Sequence, residues 1–228
     1  EQEKRMMIAQ LSHDIKTPIT SIQVTVEGIL DGVIKEEEWL HYLSTIGRQT
    51  DRLNKLVEEL DVLTLNTQPQ DTADEEVEEI FLDQLLIESM SEFQLQIEQE
   101  ERDVYIQVSP ESAKIKSHSD KLSRILVNLL NNAFKYSEPG TRIEVLAQLT
   151  EQELTISVKD EGQGILPEYL EKIFKRLYRV ETSRNMKTGG HGLGLAIARE
   201  LAYQLGGEIT VESQYGLGSK FTFSLSLK

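Results

Sequence analysis

Ser12-His13-Asp14-Ile15-Lys16-Thr17-Pro18 sets a histidine beside an acid, with a hydroxyl one turn further on and a proline next to that. The surrounding run is helical in pattern. Ile8, Leu11, Ile15, Ile19, Ile22, Val26 and Ile29 recur at three- and four-residue steps and make one apolar stripe. Positions i and i+4 share a helix face, so Thr17 lies over the same patch as His13. Pro18 offers no N–H to the Asp14 carbonyl and its ring crowds that oxygen, which predicts a bend there. Asp31-Gly32 breaks the stripe. A second one follows through Trp39, Leu43, Ile46, Leu53, Val57, Leu60 and Leu63. Two helices of roughly 30 residues, each about 45 Å long, predict an antiparallel helical hairpin. Such a hairpin buries only part of its stripe, so the expected assembly is a homodimer forming a dimeric four-helix bundle.

The 228 residues leave room beyond the hairpin for a second domain with its own core. A formal net charge of -15 argues against non-specific nucleic-acid binding, which runs on basic surface. An anionic nucleotide remains compatible with it, because a local site can be positive on an acidic protein. The absence of cysteine excludes a disulfide framework, a thiolate nucleophile and a zinc–thiolate site. No stretch approaches the ~18 consecutive apolar residues of a membrane span, and no signal peptide is visible. The chain begins at Glu1 without an initiator methionine, as expected of a fragment of something longer.

After Gln68-Pro69-Gln70 comes an acidic run with Asp71, Asp74, Glu75, Glu76, Glu78 and Glu79. It reads as a solvated linker over residues 68–79, dividing a hairpin at 1–67 from a mixed domain at 80–228. In the second part, Val104-Tyr105-Ile106-Gln107-Val108, Lys114-Ile115-Lys116 and residues 142–149, 154–158, 208–211 and 221–227 have strand character. Asp120 is placed to N-cap a helix through Leu122, Ile125, Leu126, Leu129 and Leu130, and another helix follows Gly194. Strands paired antiparallel with helices on one face predict an α/β two-layer sandwich.

Three constellations in that domain carry chemistry. Asn128, Asn132 and Lys135 share one side of the Asp120 helix, at spacings of four and three. An amide oxygen suits a hard cation such as Mg²⁺ and Lys135 suits a phosphate; equally, such amides cross-link neighbouring backbone. Asp160-Glu161-Gly162-Gln163-Gly164 follows a strand, where a carboxylate can accept a hydrogen bond from an exocyclic amine while glycines admit close backbone approach. The same pattern also serves as a plain turn. Gly189-Gly190-His191-Gly192-Leu193-Gly194 runs into an apolar helix, whose free N–H groups and dipole make a phosphate cradle. The polar stretch at 182–188 before it has the composition of a lid or of an ordinary loop. The spacing is neither that of a Walker P-loop nor, lacking a strand directly before it, that of a Rossmann turn.

With all of these in this order, the chain resembles the cytoplasmic catalytic core of a two-component sensor histidine kinase over practically its whole length. The resemblance implies a dimerisation and phosphoacceptor hairpin followed by a Bergerat-type ATP-binding domain. Residues 12–18 match the family's H box, with His13 as phosphoacceptor, and residues 128–137 match its N box. Residues 160–164 match the G1 box, 173–179 the F box and 190–195 the G2 box. By that resemblance Asn132 holds Mg²⁺, while Asn128, Lys135 and Tyr136 line ATP and Asp160 reads adenine. Gly162, Gly164, Gly190, Gly192, Leu193 and Gly194 supply the glycine boxes, and Arg179 reaches the terminal phosphate. Leu177 stands where the family usually has phenylalanine, and His191 replaces a common small hydroxyl residue.

The resemblance also implies Asp14 as general base toward His13, although neighbouring helical side chains diverge by about 100°. It implies phosphotransfer to an aspartate on a response regulator receiver domain, and places the membrane anchor upstream of Glu1. Thr17 is expected to orient a water for dephosphorylating that regulator, unless it simply satisfies a carbonyl of its own helix. His41 is expected on the surface or seam of the second helix and His118 in the loop before Asp120. Two rivals remain, an ATP-gated conformational dimer of the Hsp90 or MutL kind and a non-catalytic regulator-binding scaffold.

Overall fold

The computed structural model describes residues 2–64, 77–178 and 192–227. The chain divides into two compact units, residues 1–65 and residues 66–228. In the first, α1 (Gln2–Leu30) and α2 (Trp39–Thr64) pack as a hairpin. α1 ends where the stripe does: the Asp31 N–H bonds to the Glu27 carbonyl and Gly32 takes a positive φ of 70°. α1 runs as one element through Pro18. Its apolar stripe is not uniformly covered. Leu11, Ile15, Ile22 and Ile29 are half-buried, whereas Ile19 and Val26 are exposed, as are Leu43 and Val57 on α2.

The second unit begins with β1 (Glu78–Phe81), followed by α3 (Leu82–Ser91), α4 (Gln94–Glu100), β2 (Asp103–Ser109) and β3 (Lys114–Ser117). Then come α5 (Ser119–Tyr136), β4 (Arg142–Leu149), β5 (Glu153–Asp160), α6 (Gly194–Gln204), β6 (Glu208–Gln214) and β7 (Gly218–Ser226). The main sheet has the order β2-β4-β5-β7-β6, and α3, α5 and α6 pack with it as the second layer. Its core interleaves Val145, Ile156, Val158, Phe221 and Phe223 from the strands with Leu126, Leu129, Leu130 and Ile197 from the helices, all buried.

Three details differ from the sequence reading. The sheet is mixed, because β2 pairs parallel to β4 with Asp103 opposite Arg142. The chain reaches that pairing by crossing over through β3 and α5, as parallel neighbours require. Asp120 does not cap α5. The N-cap position falls to His118, without a side-chain cap bond, and Asp120 lies in the first turn, where a carboxylate favours the helix dipole. Glu78 and Glu79, read as part of an acidic run, belong to β1, which pairs antiparallel with β3 in a separate two-stranded sheet.

Candidate phosphoacceptor and nucleotide site

His13 stands on α1 with its side chain 76% exposed. Its Nδ1 lies 3.4 Å from Asp14 Oδ1. The divergence expected of adjacent helical positions is therefore overcome by side-chain reach. An Nδ1–H facing a carboxylate fixes the tautomer and leaves the Nε2 lone pair outward. Thr17 is one turn on, as its spacing requires, and its hydroxyl donates to the His13 carbonyl at 2.9 Å. That bond uses the hydroxyl hydrogen and leaves the oxygen's lone pairs to accept.

In the other unit, residues far apart in sequence meet at the ends of α5, β5 and α6. Asp160 closes β5 and is 3% exposed. Burial pushes its carboxyl up to about 6, against two opposing backbone N–H bonds from Gly162 and Ser219. The Gly162 N–H lies 2.8 Å from Asp160 Oδ1. The loop after Asp160 is pressed on the end of α5: a Cβ on Gly162 would lie 2.2 Å from the Tyr136 carbonyl oxygen, which also accepts the Gln163 N–H at 3.2 Å. Glycine is required at 164 as well, where φ is +66° and a Cβ would meet the Gln214 carbonyl at 2.1 Å.

Along α5, Asn128 and Asn132 are half-buried, and the Lys135 ammonium sits over the Tyr136 ring at 5.1 Å. Asn128 donates to the Arg124 carbonyl at 2.8 Å, the backbone cross-link that sequence left open, and turns its Oδ1 toward the start of α6. A Cβ on Gly194 would stand 2.8 Å from that oxygen. Leu193 is buried at the N-cap of α6, and the Gly192 carbonyl accepts the Leu177 N–H at 2.9 Å. Leu177, where phenylalanine is usual, takes a left-handed φ of 59°. Arg179, Gly190, His191 and the polar stretch at 182–188 lie outside the described residues. His41 is exposed on α2, and no cluster of three or more His, Asp or Glu residues suited to a metal occurs among the described residues.

Sequence reasoning missed two supports of this site. One is the β6–β7 turn, where Gly218 has a φ of +104° and would press a Cβ to 2.0 Å from the Asp160 carbonyl oxygen. The spaced glycines of Tyr215-Gly216-Leu217-Gly218 were the available signal. The other is Arg102, buried beneath the C-terminal end of α5. It bonds Glu100 Oε2 at 2.7 Å, the Ser137 and Thr141 hydroxyls at 2.8 Å, the Phe134 and Ser137 carbonyls at 3.2 and 2.9 Å, and the Glu138 carbonyl. Nothing in its local sequence marks it.

Comparison with known proteins assigns most of the chain to two described families. The family described as "His Kinase A (phospho-acceptor) domain" matches residues 3–68. The family described as "Histidine kinase-, DNA gyrase B-, and HSP90-like ATPase" matches residues 117–228. The histidine protein kinase SaeS of Staphylococcus epidermidis is 40% identical over 99% of the chain, and that of Staphylococcus aureus 41% identical over the same share. The chain spans 64% of the length of these relatives. Among solved structures, the Acinetobacter baumannii histidine kinase AdeS superposes with a TM-score of 0.74 at 25% identity, covering 95% of this chain and 98% of that one. With a phosphoacceptor hairpin and a Bergerat-type ATPase domain in one chain, this protein belongs to the sensor histidine kinase family.

Proposed function

We propose that this chain autophosphorylates on His13 with ATP and passes the phosphoryl group to an aspartate of a response regulator. The observation that carries the reading is the exposed imidazole with its Nδ1 side turned to Asp14 at 3.4 Å. Nε2 attacks the γ-phosphorus, the bond to the bridging oxygen breaks, and ADP leaves. As the N–P bond forms, positive charge builds on the ring; the Nδ1 proton then passes to the Asp14 carboxylate, restoring a neutral ring. Asp14 thus acts as general base.

Asp160 would receive the adenine amine, and Asn128, Lys135 and Tyr136 would line the nucleotide with the glycines at 162, 164, 192 and 194. Arg179 and Gly190 complete the proposed set. The residues fit Mg²⁺: Asn132 offers a half-buried amide oxygen, a hard donor, one helical turn from Lys135. Bound Mg²⁺ supplies charge neutralisation on the phosphates. Lys135 does the same from the chain's side, so catalysis is mostly positioning and electrostatics.

Ile19, Val26 and Leu30 share one face of α1; with the exposed Leu40, Leu43 and Val57 on α2 they are the apolar residues that a second copy would cover in a four-helix bundle. Thr17, its lone pairs open to a water proton, would serve a phosphatase activity on the regulator. No helix among the described residues is long and apolar enough to cross a membrane; attachment would lie in segments outside this chain.

The test is incubation with ATP labelled at its γ-phosphate, followed by addition of response regulators. Acid-labile label on the wild type that moves to one regulator, and its absence from His13→Ala, is the expected result. A wild type that binds ATP but takes no label would favour the conformational-dimer or scaffold readings. Thr17→Ala should autophosphorylate normally and lose regulator dephosphorylation; normal dephosphorylation by that variant removes the second activity.

A further inference from the structure

Two backbone N–H groups hold the Asp160 carboxylate, one from Gly162 in the loop after β5 and one from Ser219 at the start of β7. Both segments are fastened to a single side chain, that of half-buried Ser213 on β6. Ser213 Oγ accepts the Ile165 N–H at 2.8 Å, on the far side of the Gly162 loop. It donates to the Gly218 carbonyl at 2.9 Å and lies 2.9 Å from Ser219 Oγ.

A hydroxyl has one hydrogen and two lone pairs. With the Ser213 hydrogen given to Gly218, Ser219 must be the donor in the pair of serines. Ser213 then gives one bond and receives two, which exhausts its capacity. The backbone around it has no slack, since a Cβ on Gly164 or on Gly218 would run into the Gln214 or Asp160 carbonyl.

We propose that Ser213 is a positioning residue of the nucleotide site, stapling the Gly162 loop to the Gly218–Ser219 turn so that both amides aim at the Asp160 carboxylate. The proposal rests on the reading of Asp160 as the group that receives the adenine amine. Removing the hydroxyl frees the Ile165 N–H and the Ser219 hydroxyl at once and loosens both donors. The ionised carboxylate then loses support that the protonated form does not need.

Burial is the largest cause of the shift at Asp160, and these two amides oppose it. The charged and titratable groups on the neighbouring elements are Lys135 and Tyr136 on α5, Arg142 and Glu144 on β4, the adjacent Lys159 and Glu161, and Lys220 on β7. Lys159 and its partner Lys220 alternate to the opposite face of the sheet from Asp160.

The experiment compares wild type, Ser213→Ala and Ser213→Thr. Carboxyl-carbon NMR titration of the ligand-free protein reads Asp160 directly, and calorimetry from pH 5 to 8 reads ADP affinity. Ser213→Ala should raise the Asp160 midpoint by about half a pH unit, about threefold in its protonation constant, and weaken ADP binding. Ser213→Thr should restore both. Should the alanine variant not fold, Ser213→Cys keeps the volume while bonding weakly and carries the same comparison. A folded Ser213→Ala whose Asp160 midpoint matches wild type, in a protein that binds ADP, overturns the proposal alone. Failure of the wild type to bind ADP refutes the nucleotide reading and the proposal with it.

Discussion

Gly162 and Tyr136 are in backbone contact: the position a Cβ would take on Gly162 lies 2.2 Å from the Tyr136 carbonyl oxygen. The loop after β5 therefore rests on the end of α5, and two boxes separated in sequence become one surface. Neither side can yield cheaply, because the obstacle is main chain.

Gly162→Ala should accordingly destabilise the domain by about 2–4 kcal/mol and remove ADP binding. Gly194→Ala meets only the end of the Asn128 side chain and has no left-handed φ. It should change stability by less than ~1 kcal/mol while displacing the Asn128 amide and weakening ADP. Thermal unfolding and calorimetry on the two variants separate these outcomes.

Asp160 makes both stability and ligand binding depend on pH, with opposite signs. Its carboxyl rises on folding from 3.8 to about 6. The associated stability is complete below pH 3.8 and is lost as pH rises through about 6, a span worth about 3 kcal/mol. An adenine amine needs the ionised acceptor, so ADP affinity should fall about tenfold from pH 7 to pH 5. Asp160→Asn should flatten the stability profile over that range and abolish the affinity. Denaturant unfolding and calorimetry across pH check the pair.

Arg102 holds the same C-terminal end of α5. Its side chain is 1% exposed and bonded to the last carbonyls of the helix, to Glu100 and to two hydroxyls. Phe134, stacked on Phe93 at 4.6 Å, lies beneath it. Arg102→Ala takes the guanidinium from Glu100 Oε2 and from the Phe134 and Ser137 carbonyls, and should cost about 3–5 kcal/mol in denaturant unfolding.

Asp14→Asn keeps the shape beside His13 and removes the base. The label incorporated per minute should drop by roughly 10²–10⁴, with ADP affinity unchanged. A variant that labels at the wild-type rate contradicts the role given to Asp14.

Much of this was legible in the chain because it is local. Periodicity located both long helices, and strand alternation located β4 over residues 142–149. Gly162 and Gly194 could be singled out from their boxes. The parallel β2–β4 pairing was not legible, since two strands separated by β3 and α5 look the same in either direction. β1 was hidden because its four residues bury only Ile80 and open with two glutamates. Ser213, Gly218 and Arg102 escaped because each matters through partners distant in sequence: Ile165, Asp160 and Ser137. α3 shows a three- and four-residue pattern in Leu82, Leu85, Leu86 and Met90, but its start abuts β1 and only the fold separates them.

The most direct measurement is mass spectrometry, under alkaline conditions, of the chain after reaction with ATP, with the bonded ring nitrogen identified by nitrogen NMR. One phosphoryl group is expected, on His13, attached at Nε2. A phosphoryl group on any other residue, or ADP formed with His13 unmodified, contradicts that expectation.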